Sequence, residues 1–315
     1  MVLTFLGILA RHAVPITGAG IFLGLLSPDL AALLRPALEA CVVIVMTVAF
    51  SRLEWAGLDA LRRKRLATTL VVAWVFVAAP VLIWAVGTAI GVAGVLLAAI
   101  VLNAAAAPIV TSVPYCQLLD LDAELAMLVV LITTFLMPLI LPAMILVLLG
   151  LEVVIDPAVF LPRIGLFILL PLALAWTIRR VVPATRLDAA GATLDGIMVF
   201  VLIVFAVGIM DGVTAQILND PAKGAATLAA VFGVSILLHA VSGLLFWSFG
   251  KRTALSVAVT GGSRNLALLL VIVGDTLGPD FALYVALGQL PIYLMPVAVQ
   301  IARRRMLRLS PPSDA

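Results

Sequence analysis

Ten long apolar runs, each bounded by charge, proline or glycine, leave this chain few ways to fold. They cover roughly residues 9–27, 34–51, 66–87, 91–117, 123–149, 162–182, 190–211, 224–249, 253–274 and 281–302. Each is of the order of 20 residues, the length at which a helix crosses the apolar core of a bilayer. The short alternating segments of a membrane barrel are missing, so the spanning elements are expected to be helices. Composition excludes the soluble alternative, because 64% hydrophobic and 11% charged residues over 315 positions cannot cover a water-facing surface. No hydrophilic stretch would make a soluble domain, so a single integral membrane domain over 1–315 is expected, with a short tail at 304–315. The start, Met1–Ala10, is apolar and is followed by Arg11-His12, the reverse of a signal peptide, and reads as a lead-in to the first span. Cys41 and Cys116 lie in or beside apolar runs without the spacing of a metal or disulfide pair.

Basic residues fix an orientation. Arg11, the 52–65 loop, the loops with Arg179, Arg180 and Arg186 and with Lys251 and Arg252, and the C-terminal arginines put 15 of 19 bases on one face. Arg35, Arg163 and Lys223 fall on the other, and Arg264 lies within a span. The positive-inside rule then predicts an even number of spans with both termini cytoplasmic, in the inner (plasma) membrane. The lipid bilayer is one partner of such a chain; the bases lie in loops and imply no nucleic acid. The loop between spans 4 and 5 holds Asp120, Asp122 and Glu124, of which Asp122 reads as a helix cap.

Two spans are interrupted. Thr260-Gly261-Gly262-Ser263-Arg264-Asn265 divides span 9, where each glycine weakens a helix by roughly 1 kcal/mol and arginine costs about 2.5–3.5 kcal/mol at the centre of a bilayer. Span 4 is divided at Asn103-Ala-Ala-Ala-Ala-Pro108, followed by Thr111, Ser112 and Pro114. Pro108 and Asn265 are 157 positions apart, and Pro138 and Pro296 are 158 apart. Half the chain length separates each pair, and five spans per half reverse the direction. The expected fold is an all-α membrane protein of ten helices in two inverted five-helix repeats, at about 1–150 and 160–303. Helices 4 and 9 are then broken and cross at mid-membrane, where secondary transporters hold substrate and coupling ion.

Several stretches carry a family likeness: Leu238-His239-Ala-Val-Ser-Gly-Leu-Leu-Phe-Trp, Arg252-Thr-Ala-Leu, Asn265 and Gly274, Phe50-Ser-Arg-Leu-Glu, Pro80, Leu121-Asp122 and Pro15. Through nearly its whole length the chain resembles the bile acid:sodium symporter family, within a superfamily that includes arsenite exporters, as a divergent bacterial member. The resemblance implies panel and core domains and Na⁺-coupled transport of an organic anion. Its sodium ligands carry over unevenly. A Ser-Asn pair falls on Ser112-Val113, and a helix 5 threonine on Thr134, beside Thr133. A glutamate falls on Thr260, a glutamine on Arg264, an asparagine on Asn265, and a helix 3 glutamine near Trp74-Val75. Ser112, Thr134 and Thr260 are thus the possible Na⁺ ligands. Against the arsenite exporters, Ala107-Pro108 matches, but their cysteine falls on Ile109.

The departures share a sign: cation ligands are lost and a permanent cation, Arg264, is gained. Arg264 is therefore expected to replace the second sodium and to face a small organic anion, with Ser263, Asn265, Thr111, Ser112, Thr133, Thr134, Thr260 and Asn103 around it. The alternative is structural, with the arginine charge absorbed by a buried acid or by helix 4 carbonyls. The small polar residues also join helices as readily as they bind ligands. Asp211, Glu39 and His239 are the candidates for coupling to H⁺. The expected function is an alternating-access transporter, coupled to Na⁺ or H⁺, with uncoupled exchange as a variant and a non-transporting receptor or scaffold as the alternative from another class. No HExxH, GxSxG or paired-carboxylate pattern suggests an enzyme. No resident cofactor is expected beyond a possible Na⁺.

Overall fold

Aliphatic runs without competing polar side chains satisfy their backbone groups internally, and the chain is helical with no strand among the described residues. The structure, a computed structural model, describes residues 13–52, 60–150 and 157–308. The expectations for Met1–Ala10, Arg11 and the chain beyond Arg308 lie outside these residues. Five helices are long and apolar enough to cross a membrane: Pro28–Ser51, Arg62–Ala89, Gly191–Asn219, Pro221–Leu245 and Thr276–Arg305. The pair Ala123–Met137 and Leu139–Leu149, bent by 64°, makes up to six. Several long apolar helices mark a multi-pass membrane protein.

The count of ten is not reached on length and apolarity alone, and the interruptions account for part of the difference. Span 4 is divided into Gly94–Ala105 and Ser112–Leu118, and span 9 is cut after Lys251–Gly262. The helix Leu266–Arg308 that follows breaks at Gly278, whose φ of 75° no L side chain adopts easily. Wide π-helical turns occur at Trp74–Ala78 and Ile145–Leu149.

Polarity is inverted relative to a water-soluble protein. Leu26, Ile90, Leu139 and Leu244 are exposed, whereas Thr17, Thr47, Asn103, Ser112, Ser256 and Arg264 are buried. Cys41 and Cys116 are both buried and free.

The chain divides into two compact units, and neither is a contiguous half. One takes Met1–Glu54, Ile155–Thr227 and Leu270–Gln289; the other takes Trp55–Val154, Leu228–Leu269 and Leu290–Ala315. In the first, Ala13–Leu26 packs on Gly191–Gly208 so closely that a Cβ on Gly24 would lie 2.6 Å from the carbonyl oxygen of Val207. This unit also pairs each of the three bases expected on the face opposite the other fifteen. Arg35 donates to Asp211 at 2.9 Å, Arg163 donates to Glu39 at 2.7 Å, and Lys223 pairs with Asp280.

In the second unit the acidic loop is tied down from several sides. Asp120, with a φ of 50°, meets Arg252 and Arg303; Lys64 bonds Asp122, whose backbone N–H donates to Ser256 Oγ at 2.6 Å. Asp122 Oδ1 accepts from Leu125 N–H at 3.1 Å and caps helix Ala123–Met144. Asp122→Ala is therefore expected to cost about 1–2 kcal/mol through the lost cap, with Asp122→Asn recovering most of it, read by thermal unfolding in detergent. Equal losses in the two variants would mean that the ion pair with Lys64, and not the cap, carries the effect.

Candidate functional site: the paired helix breaks

A broken helix leaves backbone groups without partners, and in an apolar interior each costs several kcal/mol unless it is paired. In the second unit the two breaks pair with one another. Helix Gly94–Ala105 ends because Ala106 is extended, at φ −68° and ψ 149°, and Ala107 precedes proline, which disfavours the α conformation. Helix Lys251–Gly262 ends at Ser263, extended at φ −97° and ψ 102°. The two short extended stretches run antiparallel with Pro108 opposite Arg264. Ile109 N–H donates to Ser263 O and Asn265 N–H donates to Ala107 O, each at 2.9 Å. Proline has no N–H, and it sits opposite Arg264 while its neighbours make the bonds.

Arg264 is 1% exposed, the most completely buried charge among the described residues. Its Nη1 donates to the carbonyl oxygen of Ala106 at 3.0 Å, but Nε and Nη2 have no partner, and no carboxylate among the described residues pairs with it. Of the structural alternative, the helix 4 carbonyl is therefore present and the buried acid is not. Burying a charge costs several kcal/mol unless it is compensated. Nε–H and Nη2–H lie along one edge of the guanidinium and form a fork whose spacing matches the two oxygens of a carboxylate. With Nη1 anchored, that edge is held in place. Ser112 Oγ, fully buried, is likewise without a partner.

The neighbouring polar groups have defined employment. Asn265 Oδ1 accepts from Leu268 N–H at 3.0 Å, so Asn265 caps the helix that follows the break. The Thr260 hydroxyl donates to Ser256 O at 2.9 Å and the Thr133 hydroxyl to Val129 O at 2.6 Å, both within their own helices. Thr134 and Asn103 are buried, and Thr111 begins the half-helix Ser112–Leu118 without a side-chain cap bond. Ser263 Oγ meets His239 Nε2 at 3.3 Å, and His239 Nδ1 meets Ser235 O at 2.7 Å. Asp211 and Glu39 belong to the other unit, where Arg35 and Arg163 engage them.

The glycines need a correction. Expected as the weak point of the helix, Gly261 and Gly262 instead lie inside it, and the break follows at Ser263. They admit a close neighbour. A Cβ on Gly262 would lie 2.1 Å from His239 Nδ1, and one on Gly261 would lie 2.3 Å from Ser242 Oγ. Ser242 in turn accepts from Trp74 Nε1 at 2.8 Å. Sequence reasoning missed Ser235, Ser242 and Trp74. The i, i+4, i+7 spacing of Ser235, His239 and Ser242 was the available signal, a polar stripe on an otherwise apolar helix.

At the second break the Thr260 hydroxyl, one of the possible Na⁺ ligands, donates within its own helix to Ser256 O, and the Arg264 guanidinium stands four positions on.

No family model matches the chain, and the search of characterised proteins gives no match.

Proposed function

We propose that the protein is a secondary transporter of a small organic anion, working by alternating access, with the substrate carboxylate held on the free edge of Arg264. The single observation behind this reading is the buried guanidinium with Nη1 anchored on Ala106 O and Nε and Nη2 left without partners. A fixed arrangement of this kind gives a planar anion two charge-assisted bonds and removes the cost of an uncompensated charge. Paired broken helices with half-chain spacing support transport over static binding, because such pairs form the midplane site in inverted-repeat carriers. The proposed architecture is ten helices in two inverted repeats, in the inner membrane with both termini cytoplasmic, in keeping with the resemblance to the bile acid:sodium symporters. Sodium coupling, which that resemblance implies, is disfavoured at the second break by the charge of Arg264.

The test is uptake into proteoliposomes of a panel of small carboxylic acids under a Na⁺ gradient, a pH gradient, or neither. Accumulation of at least one acid above protein-free liposomes is expected, with no requirement for Na⁺. Silence across the panel would exclude transport and leave a receptor or scaffold. Strict Na⁺ dependence would overturn the reading of Arg264.

A further inference from the structure

His239 is the one buried imidazole among the described residues, and both ring nitrogens are engaged. Ser235 O can only accept, so Nδ1 carries the hydrogen of the neutral ring. Nε2 then presents its lone pair to the Ser263 hydroxyl, which donates to it at 3.3 Å. The surroundings are sparse in charge. The ring's own helix contributes Ser235; helix Lys251–Gly262 contributes the Gly262 backbone; the extended residues after it contribute Ser263 and, next along the chain, Arg264. Arg264 directly follows Ser263 in the chain, and no acid among the described residues bonds the ring. A lone buried cation and a neutral base thus sit on adjacent parts of one helix break.

We propose that His239 is a proton-binding site linked to the anion site: its Nε2 takes up one proton when a carboxylate occupies the Arg264 edge, and anion and proton cross together. This rests on Arg264 being the anion site. The step balances simply. The Nε2 lone pair forms the new N–H bond with a proton drawn from water on the open side. The bond to Ser263 then reverses, with Nε2–H donating and Ser263 Oγ accepting. Burial opposes a charge on the ring and the uncompensated Arg264 adds to that opposition; a bound carboxylate cancels the guanidinium and removes its share. Charge accounting fits a carrier. The empty site holds +1 from Arg264, and the site loaded with one monocarboxylate and one proton again holds +1. Both states that must reorient carry equal charge, and the net movement is electroneutral.

Linkage gives the sign. A proton bound together with the anion strengthens anion binding by the same factor, so affinity rises as pH falls, by up to about tenfold per pH unit for one proton. The experiment is calorimetry on the full chain in lipid nanodiscs, with acetate, pyruvate and benzoate as probes. Titrations in buffers of different ionisation enthalpy count protons taken up per anion bound. Close to one proton is expected for the natural chain within the pH range where affinity varies. His239→Gln is expected to take up none and to bind with an affinity that no longer varies with pH. Binding without proton uptake, or uptake unchanged in His239→Gln, overturns the proposal while the anion reading stands. Absence of binding by all three acids overturns both. If His239→Gln does not fold, the natural chain decides alone: an affinity flat with pH refutes the linkage.

Discussion

Arg264→Leu is expected to lower carboxylate affinity by at least about 100-fold while leaving the protein as stable as before, or more so. Each charge-assisted bond contributes about 1.5–3 kcal/mol, so losing the pair on Nε and Nη2 removes roughly 3–6 kcal/mol, and each 1.4 kcal/mol is tenfold. Arg264→Lys keeps the charge but has no planar fork, and should fall between the two. Stability moves the other way. Arg264 is buried with one protein partner, the Ala106 carbonyl, and no acid among the described residues pairs with it. Replacing an uncompensated buried charge by an apolar residue of similar volume is commonly neutral or stabilising by about 1–4 kcal/mol. A site that holds strain for its ligand shows this trade between activity and stability. The measurement pairs calorimetric binding with thermal unfolding of the ligand-free protein in the same detergent. A loss of binding together with a marked loss of stability would assign Arg264 to holding the two breaks together and not to the ligand.

How much of this site could be read from the sequence depends on the range of the interaction. The breaks themselves were legible, because Pro108 removes a donor and Ser263-Arg264-Asn265 brings polar groups into an apolar run, both local effects. Their pairing was suggested by half-chain spacing alone. The register, with Pro108 opposite Arg264 and Ala107 bonded to Asn265, needed the structure. Arg35, Arg163 and Lys223 were expected on the face opposite the other bases. Each has an acid 57 to 176 residues away, Asp280 for Lys223, Glu39 for Arg163 and Asp211 for Arg35, a distance over which periodicity carries no information. Asp211 and Glu39, candidates for coupling to H⁺ in the sequence, are thus engaged by Arg35 and Arg163. The count of ten spans is not reached on length and apolarity for a related reason. Hydropathy sees a continuous run at 91–117 and 253–274, whereas the backbone is divided within each. That the glycines of span 9 admit a close neighbour was open to composition, but which neighbour, helix Pro221–Leu245, lies outside any local window.

Gly262→Ala distinguishes the two roles by sign. If the glycine only loosened its helix, alanine would stabilise by about 1 kcal/mol. With His239 packed on the bare backbone, alanine is expected to destabilise by about 3 kcal/mol or more, enough to lose most of the folded protein. The added Cβ would lie 2.1 Å from Nδ1, 2.2 Å from Cγ and 2.5 Å from Cε1 of His239, the body of the ring and not a flexible tip. The ring cannot swing aside cheaply, since Nδ1 is tied to Ser235 O at 2.7 Å and Nε2 to Ser263 Oγ at 3.3 Å, and Ser263 O in turn holds Ile109 N–H. The strain would therefore pass directly into the paired breaks and the seat of Arg264. Removing the ring should relieve it: Gly262→Ala with His239→Ala is expected to recover most of the lost stability, a coupling of the kind that double-mutant cycles detect between touching residues. Size-exclusion yield and thermal unfolding of the four proteins in the cycle provide the measurement. Additive losses, with no recovery in the double variant, would separate the glycine from the histidine and return Gly262 to a purely local role.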